Sequence, residues 1–305
     1  METLSPSAVH VLLVLILPPL LLGVIVKTKA LVAGRVGAPL LQPYYDLAKL
    51  FRKGSVFSTT TTWVFRAGPI VSLATAALAV LLIPLGGHAA PLSFPGDLVL
   101  LAYLFGLGRF FTAAAALDTG SPFEGMGAAR EVTFACLAEP ALFLGLLVLA
   151  KLSGSLQLAD MLGPALADRW ESAGASLALV LISWFIVLLA ENSRIPFDDP
   201  NTHLELTMVH EVMVLDHSGP GLGMILYGAA LKLFVFSALV VRIALPLATG
   251  SPWLDWAVVL GGLLLVGVLI GVVESVMARV RLVHIPNLLV AACLLSGFGI
   301  ILLVR

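Results

Sequence analysis

Four ionisable residues, Arg109, Glu139, Lys232 and Glu274, stand inside long apolar runs, and Asp118, Glu131 and Glu191 stand near the ends of such runs. Holding one ionised side chain at mid-bilayer costs roughly 2.5–3.5 kcal/mol on insertion scales, so four facing lipid would cost roughly 10–14 kcal/mol. That rivals the whole stability of a typical domain. The four must therefore face an interior, pair with one another, or be partly neutral. Carboxylates and amines shift pKa readily on burial, which suits stepwise proton transfer. Glu139, Lys232, Glu274, Glu131, Asp118 and Glu191 are accordingly candidate proton-transfer residues. Glu139 stands out because Pro140 follows it, and proline removes a backbone donor and can open carbonyls to water. Arginine keeps its charge, so Arg109 is expected to tune its neighbours instead of carrying the proton. For each residue the alternative is a structural ion pair, or an end residue whose long side chain reaches the membrane surface.

The elements that position these residues follow from composition. The 305 residues are 60% hydrophobic and 11% charged, with a mean hydropathy of +1.07. Ordinary soluble domains carry about 25% charged residues, so a soluble enzyme is excluded. Disorder is excluded by the apolar content, and nucleic-acid binding is not expected at a net charge of −1. Cys136 and Cys293 sit singly in apolar runs and offer neither a disulfide framework nor a CxxC site. Spans of about 20 apolar residues fall at roughly 8–26, 67–86, 97–117, 132–151, 174–190, 221–246, 255–277 and 285–304. The fold class expected is an all-α, polytopic membrane bundle of eight transmembrane helices plus an amphipathic helix, one membrane domain over 1–305. The first span has Glu2 before it and Lys27 after it, which reads as a retained helix, kinked at Pro18-Pro19, and not a signal peptide. Lys and Arg concentrate in the odd-numbered loops, above all Lys27, Lys29, Arg35, Lys49, Arg52, Lys53 and Arg66 in the first. By the positive-inside rule those loops are cytoplasmic and both termini lie outside. No internal repeat is evident, which weakens a transporter built from inverted halves.

Two cytoplasmic segments are more than connectors. In 27–66, Leu40, Tyr44, Leu47 and Phe51 recur at helical spacing, opposite Gln42, Asp46, Lys49 and Lys53. This predicts an amphipathic helix over 38–53, lying flat at the interface or against a partner. Gly34 and Gly37 around Arg35 suggest tight backbone before it. The second segment, 191–220, is the most polar of the chain, and it holds Arg194, Asp198, Asp199, His203, Glu205, His210 and Glu211. Thr202 and Glu205 form a capping-box pattern that starts a short helix near 203. Dense charge beside an apolar helical face reads as a docking surface or the mouth of a polar channel. His210-Glu211 lacks the second histidine of HExxH, so no metal site is expected; His203, His210 and His217 repeat every seven residues, a weak pattern.

These residues carry a resemblance. AENSRIPFDDP (Ala190 to Pro200), followed by Leu204-Glu205-Leu206, resembles the AExxRxPFDxP…EL loop of the respiratory complex I membrane subunit beside the quinone chamber. GRVGAPLLQPYYDLAKLFRK at 34–53 resembles that subunit's first cytoplasmic loop, and Arg130 and Glu139 match an Arg and a Glu of its fourth helix. Complex I carries acidic residues where Asn201 and His203 stand here. The wording TMVHEVMVLDHSG, LDTGSPFEGMGAARE (117–131) and ESVMARVRLVHIPNLL (274–289) is similar instead to the membrane subunit of energy-converting NiFe hydrogenases, of the hydrogenase-4 component C and formate hydrogenlyase subunit 4 type.

The resemblance implies a non-catalytic subunit of an oxidoreductase complex in the prokaryotic inner membrane. It implies no cofactor in this chain, with iron–sulfur clusters and a NiFe centre in hydrophilic large and small partner subunits. Antiporter-like membrane subunits complete the set of partners. Arg35, Gln42 and Asp46 would face the hydrophilic arm, and Glu191, Arg194, Asp198, Asp199 and Glu205 would form the coupling loop, with His203, His210 and Glu211 on the same docking surface. Glu139 and Glu205 would belong to the proton path, with Arg130 tuning charge beside it. The rival readings are a complex I subunit with a quinone site and a stand-alone secondary transporter; an intramembrane enzyme lacks a defensible nucleophile or metal constellation.

Overall fold

The computed structural model describes residues 6–86, 88–198, 209–246 and 250–304. Among them every regular element is helical, and eight helices are long and apolar enough to cross a membrane. These are α1 (Pro6–Val32), α3 (Trp63–Leu82), α4 (Asp97–Asp118), α5 (Pro122–Ser153), α7 (Leu166–Glu191), α8 (Gly219–Ala244), α9 (Pro252–Val276) and α10 (Ile285–Val304). The amphipathic α2 (Gln42–Phe51) and the single turn α6 (Leu158–Met161) lie between them. The all-helical bundle expected from the apolar runs is therefore present. Of these, α1, α5 and α7 overrun the expected spans most, α5 and α7 because their first turns are polar and an apolar window discards them. The largest overrun is α5, 32 residues long, against a span expected at 132–151. At 1.5 Å per residue it reaches about 48 Å, beyond the ~30 Å hydrocarbon core.

Helix ends follow capping chemistry. The Thr62 hydroxyl caps α3 at Val64 N, and the Asp118 carboxylate from the end of α4 accepts from Thr62 N (2.7 Å) and Phe65 N (3.2 Å). That use of Asp118 is structural: the residue expected in proton transfer joins two helix ends at the surface. Pro122 opens α5, where a missing N–H costs nothing, and Gly154 closes it in the left-handed conformation (φ 71°). Pro18 and Pro19 do not end α1, and Pro140 does not end α5; both helices run on as single elements.

The centre of the bundle is α8, where every residue from Ala230 to Ile243 except Lys232 is buried. It packs on α3, α1, α7 and α9, while α10 fills the angle between α5 and α7. Without water to drive association, helices in lipid depend on close backbone approach at small residues. Gly145 on α5 faces the Trp184 indole of α7, and Gly271 on α9 faces Ile25 and Thr28 of α1.

Successive helices alternate, so the α1–α3 connection, the α4–α5 turn, residues 192–198 and 209–218 and the α9–α10 turn share one end, called here the loop end. Gly37, at positive φ, packs on Ala30 as the chain turns out of α1. Then α2 lies across this end. Leu50 and Phe51 approach Gly223 of α8, and the Tyr44 hydroxyl donates to the Ile16 carbonyl. No residue of α2 is fully buried in the chain. Its apolar face, through Tyr44, Leu47 and Leu50, is half-buried against α1 and α8, while Asp46 and Lys49 on the polar face are exposed. The short helix expected near 203 lies outside the described residues.

A Cβ at position 145 would overlap the Trp184 indole at Nε1. Gly145→Val is therefore expected to cost about 1–3 kcal/mol by overpacking. Thermal unfolding in detergent should show a midpoint several degrees lower. An unchanged midpoint would mean that α5 and α7 do not depend on this contact.

Candidate functional site

The intramembrane charges meet in a row. Arg109 on α4 lies between two carboxylates. Its Nη1 donates to Glu139 Oε1 on α5, and its Nη2 donates to both oxygens of Glu191 (2.9 and 2.7 Å) at the end of α7. Lys232 on α8 completes the row, 2.8 Å from Glu191 Oε2. Two cations and two anions sum to zero, which removes most of the insertion cost calculated for isolated charges. The partners come from four helices that are distant in sequence, so no local motif announces the pairing. Glu191 is 5% exposed and Arg109 11%, but the Glu139 side chain is 39% exposed and opens on the flank of the bundle.

The other end of the row opens into a cavity of about 490 Å³. Leu22, Leu47, Phe105, Ile225 and Leu233 give it apolar walls, and Arg109, Glu191, Lys232, Glu131, Asp198 and His210 give it charged ones. Asp46 of α2 and Glu211 also line it. A narrower void of about 20 Å³ adjoins Glu131, Glu191 and Asp198, room for one water.

A second set of ion pairs ties Arg194 and Asp198, just after α7, to α9 and the turn that follows it, and through Glu274 to α1. Glu274, its side chain fully buried, meets Lys29 at 2.8 Å and Arg194 at 3.5 Å. Asp198 meets Arg279 at 3.3 Å, and its other oxygen accepts from Val209 N (2.9 Å) and His210 N (3.3 Å). Glu274 therefore belongs to a clasp, separate from the Arg109 row. Arg194 points inward, 14% exposed, where the sequence suggested a docking residue.

The remaining candidates are spread over the loop end. Arg35 is exposed, and Gln42 donates to Asp46 (2.9 Å) on the same face of α2. Arg130 is half-buried beside Glu131. Asp199, His203 and Glu205 lie outside the described residues. Of the three spaced histidines, His217 stacks on Phe65 (3.9 Å between ring centroids), and burial pushes its imidazole down to about 4, against the opposing pull of Asp216. Three buried charges went unnoticed in the sequence: Glu124, Asp97 and Arg242, each 1% exposed or less. A charge within two residues of a helix start reads as a surface residue, as Glu124 and Asp97 do, and Arg242, close to the end of the expected span 221–246, reads as a residue at the membrane surface.

A family model described as NADH dehydrogenase matches residues 6–305. The chain belongs to this family. It is 35% identical to hydrogenase-4 component C of Escherichia coli (strain K12) over 280 residues, 89% of this chain and 87% of that one. It is 33% identical to formate hydrogenlyase subunit 4 of the same organism, covering 98% and 96%. An NADH-quinone oxidoreductase subunit of Rubrobacter xylanophilus is 32% identical over 168 residues, 55% of this chain and 51% of that one. The fold matches a chain in the structure of a membrane-bound sulfane sulfur reductase, an archaeal respiratory membrane complex. The TM-score there is 0.83, with 24% identity and 97% of both chains covered. The hydrogenase-type resemblance read from the motifs is thus the stronger of the two, and the complex I resemblance covers a shorter stretch.

Removing Arg109 strands two carboxylates, whereas removing Lys232 leaves Glu191 with Arg109. Arg109→Leu should therefore destabilise the bundle by about 3–5 kcal/mol, and Lys232→Met by clearly less. Folded yield and thermal midpoint in detergent decide this. Equal losses for both would mean that Arg109 does not bridge the row.

Proposed function

We propose that this chain is the membrane-anchoring and coupling subunit of a hydrogenase-type oxidoreductase complex. On this reading the loop end is cytoplasmic and docks the hydrophilic arm, whose large and small subunits hold the NiFe centre and the iron–sulfur clusters. Both termini lie outside the prokaryotic inner membrane, as the Lys and Arg bias requires. The flank carrying Glu139 meets antiporter-like membrane subunits.

The observation that carries the reading is the unbroken row from the cavity beneath the loops, through Lys232, Glu191 and Arg109, to Glu139 on the flank. Arg109 shares its donors between two carboxylates. A proton arriving on Glu191 weakens its hold on Arg109 and Lys232, and Arg109 then leans on Glu139. A proton on Glu139 has the reverse effect. Protonation at one end of the row is thereby felt at the other as a change in charge. A partly exposed carboxylate in a membrane flank needs a polar neighbour, which a partner subunit supplies.

Glu139→Gln keeps shape and hydrogen bonding but cannot ionise. The complex should assemble, keep hydrogenase activity measured with an artificial electron acceptor, and lose most proton translocation in vesicles. Normal pumping by the Glu139→Gln variant would reduce Glu139 to a structural ion-pair partner.

A second reading has one observation in its favour. The cavity is of ligand size, apolar along its walls and charged at one end, as a quinone site would be. A photoreactive quinone analogue should then label α2 or α8 in the intact complex, and excess short-chain quinone should prevent it. The coupling reading expects no competable labelling.

A further inference from the structure

The stretch LDTGSPFEGMGAARE contributes a buried carboxylate that the proton row does not use. Glu124 lies in the first turn of α5 and is 1% exposed. Its Oε1 accepts from the backbone N–H of Asp216 at 3.1 Å. One turn further on, Gly127 faces the 3₁₀ turn Glu211–Val214. A Cβ at 127 would lie 2.9 Å from the Val209 carbonyl oxygen, 3.0 Å from Met213 and 3.1 Å from Val212. Glu124 and Gly127 thus make one seat, the first holding the far end of this segment and the second letting it settle on α5. Val212 and Met213 are almost wholly buried there.

The residues after Asp216 are fastened just as closely to the other loop. The ring of His217 lies flat on Phe65 of α3. The Ser218 hydroxyl accepts from Val56 N (2.9 Å) and donates to Val56 O (3.2 Å). Gly219, at φ 52°, approaches the Gly54 carbonyl so closely that a Cβ would stand 2.5 Å from it. The two polar segments of the sequence are therefore joined at this point, and His210, Glu211, Met213 and Val214, which precede it, form part of the cavity wall.

We propose that Glu124 is a positioning residue: by accepting from Asp216 N it seats residues 209–218 on α5, and so sets both the cavity wall and the joint between the two loops. The role depends on an acceptor oxygen at this place and not on a negative charge. It rests on the coupling reading only for its consequence, since the seat itself is geometric.

The test uses the whole complex in vesicles, with Cys136 and Cys293 replaced by Ala and Val212→Cys as reporter. A seated Val212 side chain is hidden, so thiol labelling at 212 measures how often the segment lifts. Losing one hydrogen bond from Glu124→Ala should speed labelling about five- to ten-fold and lower protons moved per turnover. Glu124→Gln keeps the acceptor and should match the wild-type chain in both. Gly127→Ala should speed labelling as well, and it carries the test where Glu124→Ala does not assemble. Unchanged labelling in Glu124→Ala, or in Gly127→Ala where that replaces it, overturns the proposal. A Glu124→Gln variant as impaired as Glu124→Ala also overturns it, because the charge would then matter. Labelling requires no proton movement. Normal pumping by Glu139→Gln would therefore take Glu139 out of the proton path and leave the seat standing.

Discussion

The guanidinium of Arg109, shared between Glu139 and Glu191, is the interaction on which the rest depends. An arginine cannot shed its charge in a protein, so an apolar bundle can hold one only by giving its donors acceptors, and Arg109 takes carboxylates. Those carboxylates must come from other helices, and their backbones must be near enough to reach. The small residues of α3, α4 and α8 serve that end: Gly108, next to Arg109, leaves space for Thr75, and Gly228, one turn before Lys232, lies against Leu73. Close packing and charge pairing are therefore one constraint here. The row forms only if α4, α5, α7 and α8 converge, and without the row their convergence would bury unpaired charge.

Much of the fold was legible because a membrane reduces it to length and hydropathy. Eight apolar runs gave eight spans, and the spacing of Leu40, Tyr44, Leu47 and Phe51 gave α2. The ends were less legible. The first turns of α5 are polar, so an apolar window starts ten residues late at 132, although Ser121-Pro122 is an ordinary helix opening. Asp118 reads as a candidate proton-transfer residue at a span end because nothing local shows that Thr62 and Phe65 will arrive beside it.

The site divides along the same line. That Arg109, Glu139, Lys232 and Glu274 needed partners followed from solvation energy alone. Which partners they take is a matter of three-dimensional neighbourhood. Glu274 pairs with Lys29 and Arg194, away from the row, and Arg194 turns in toward it where a charged loop residue would be expected to face outward. The charge density of 191–220 reads as docking surface in one dimension. In three, Arg194 and Asp198 serve the loop's own attachment to α9 through Glu274 and to the turn after it through Arg279.

The two ends of the bundle are fastened by different mixtures of contacts. At the end away from the loops, buried charges bind backbone: Asp97 accepts from Leu158 N at 2.7 Å, Arg242 donates from Nε to Leu162 O at 3.0 Å, and the Trp170 indole donates to Ile243 O at 2.9 Å. A peptide group cannot change its protonation, so it is a fixed partner. At the loop end, and in the row beneath it, ionisable side chains hold one another: Arg109 with Glu139 and Glu191, Lys29 and Arg194 with Glu274, Arg279 with Asp198. Each such pair joins two side chains from different elements, so this end forms only when α1, α4, α5, α7 and α9 have come together. The loops, the cavity and the Arg109 row share it.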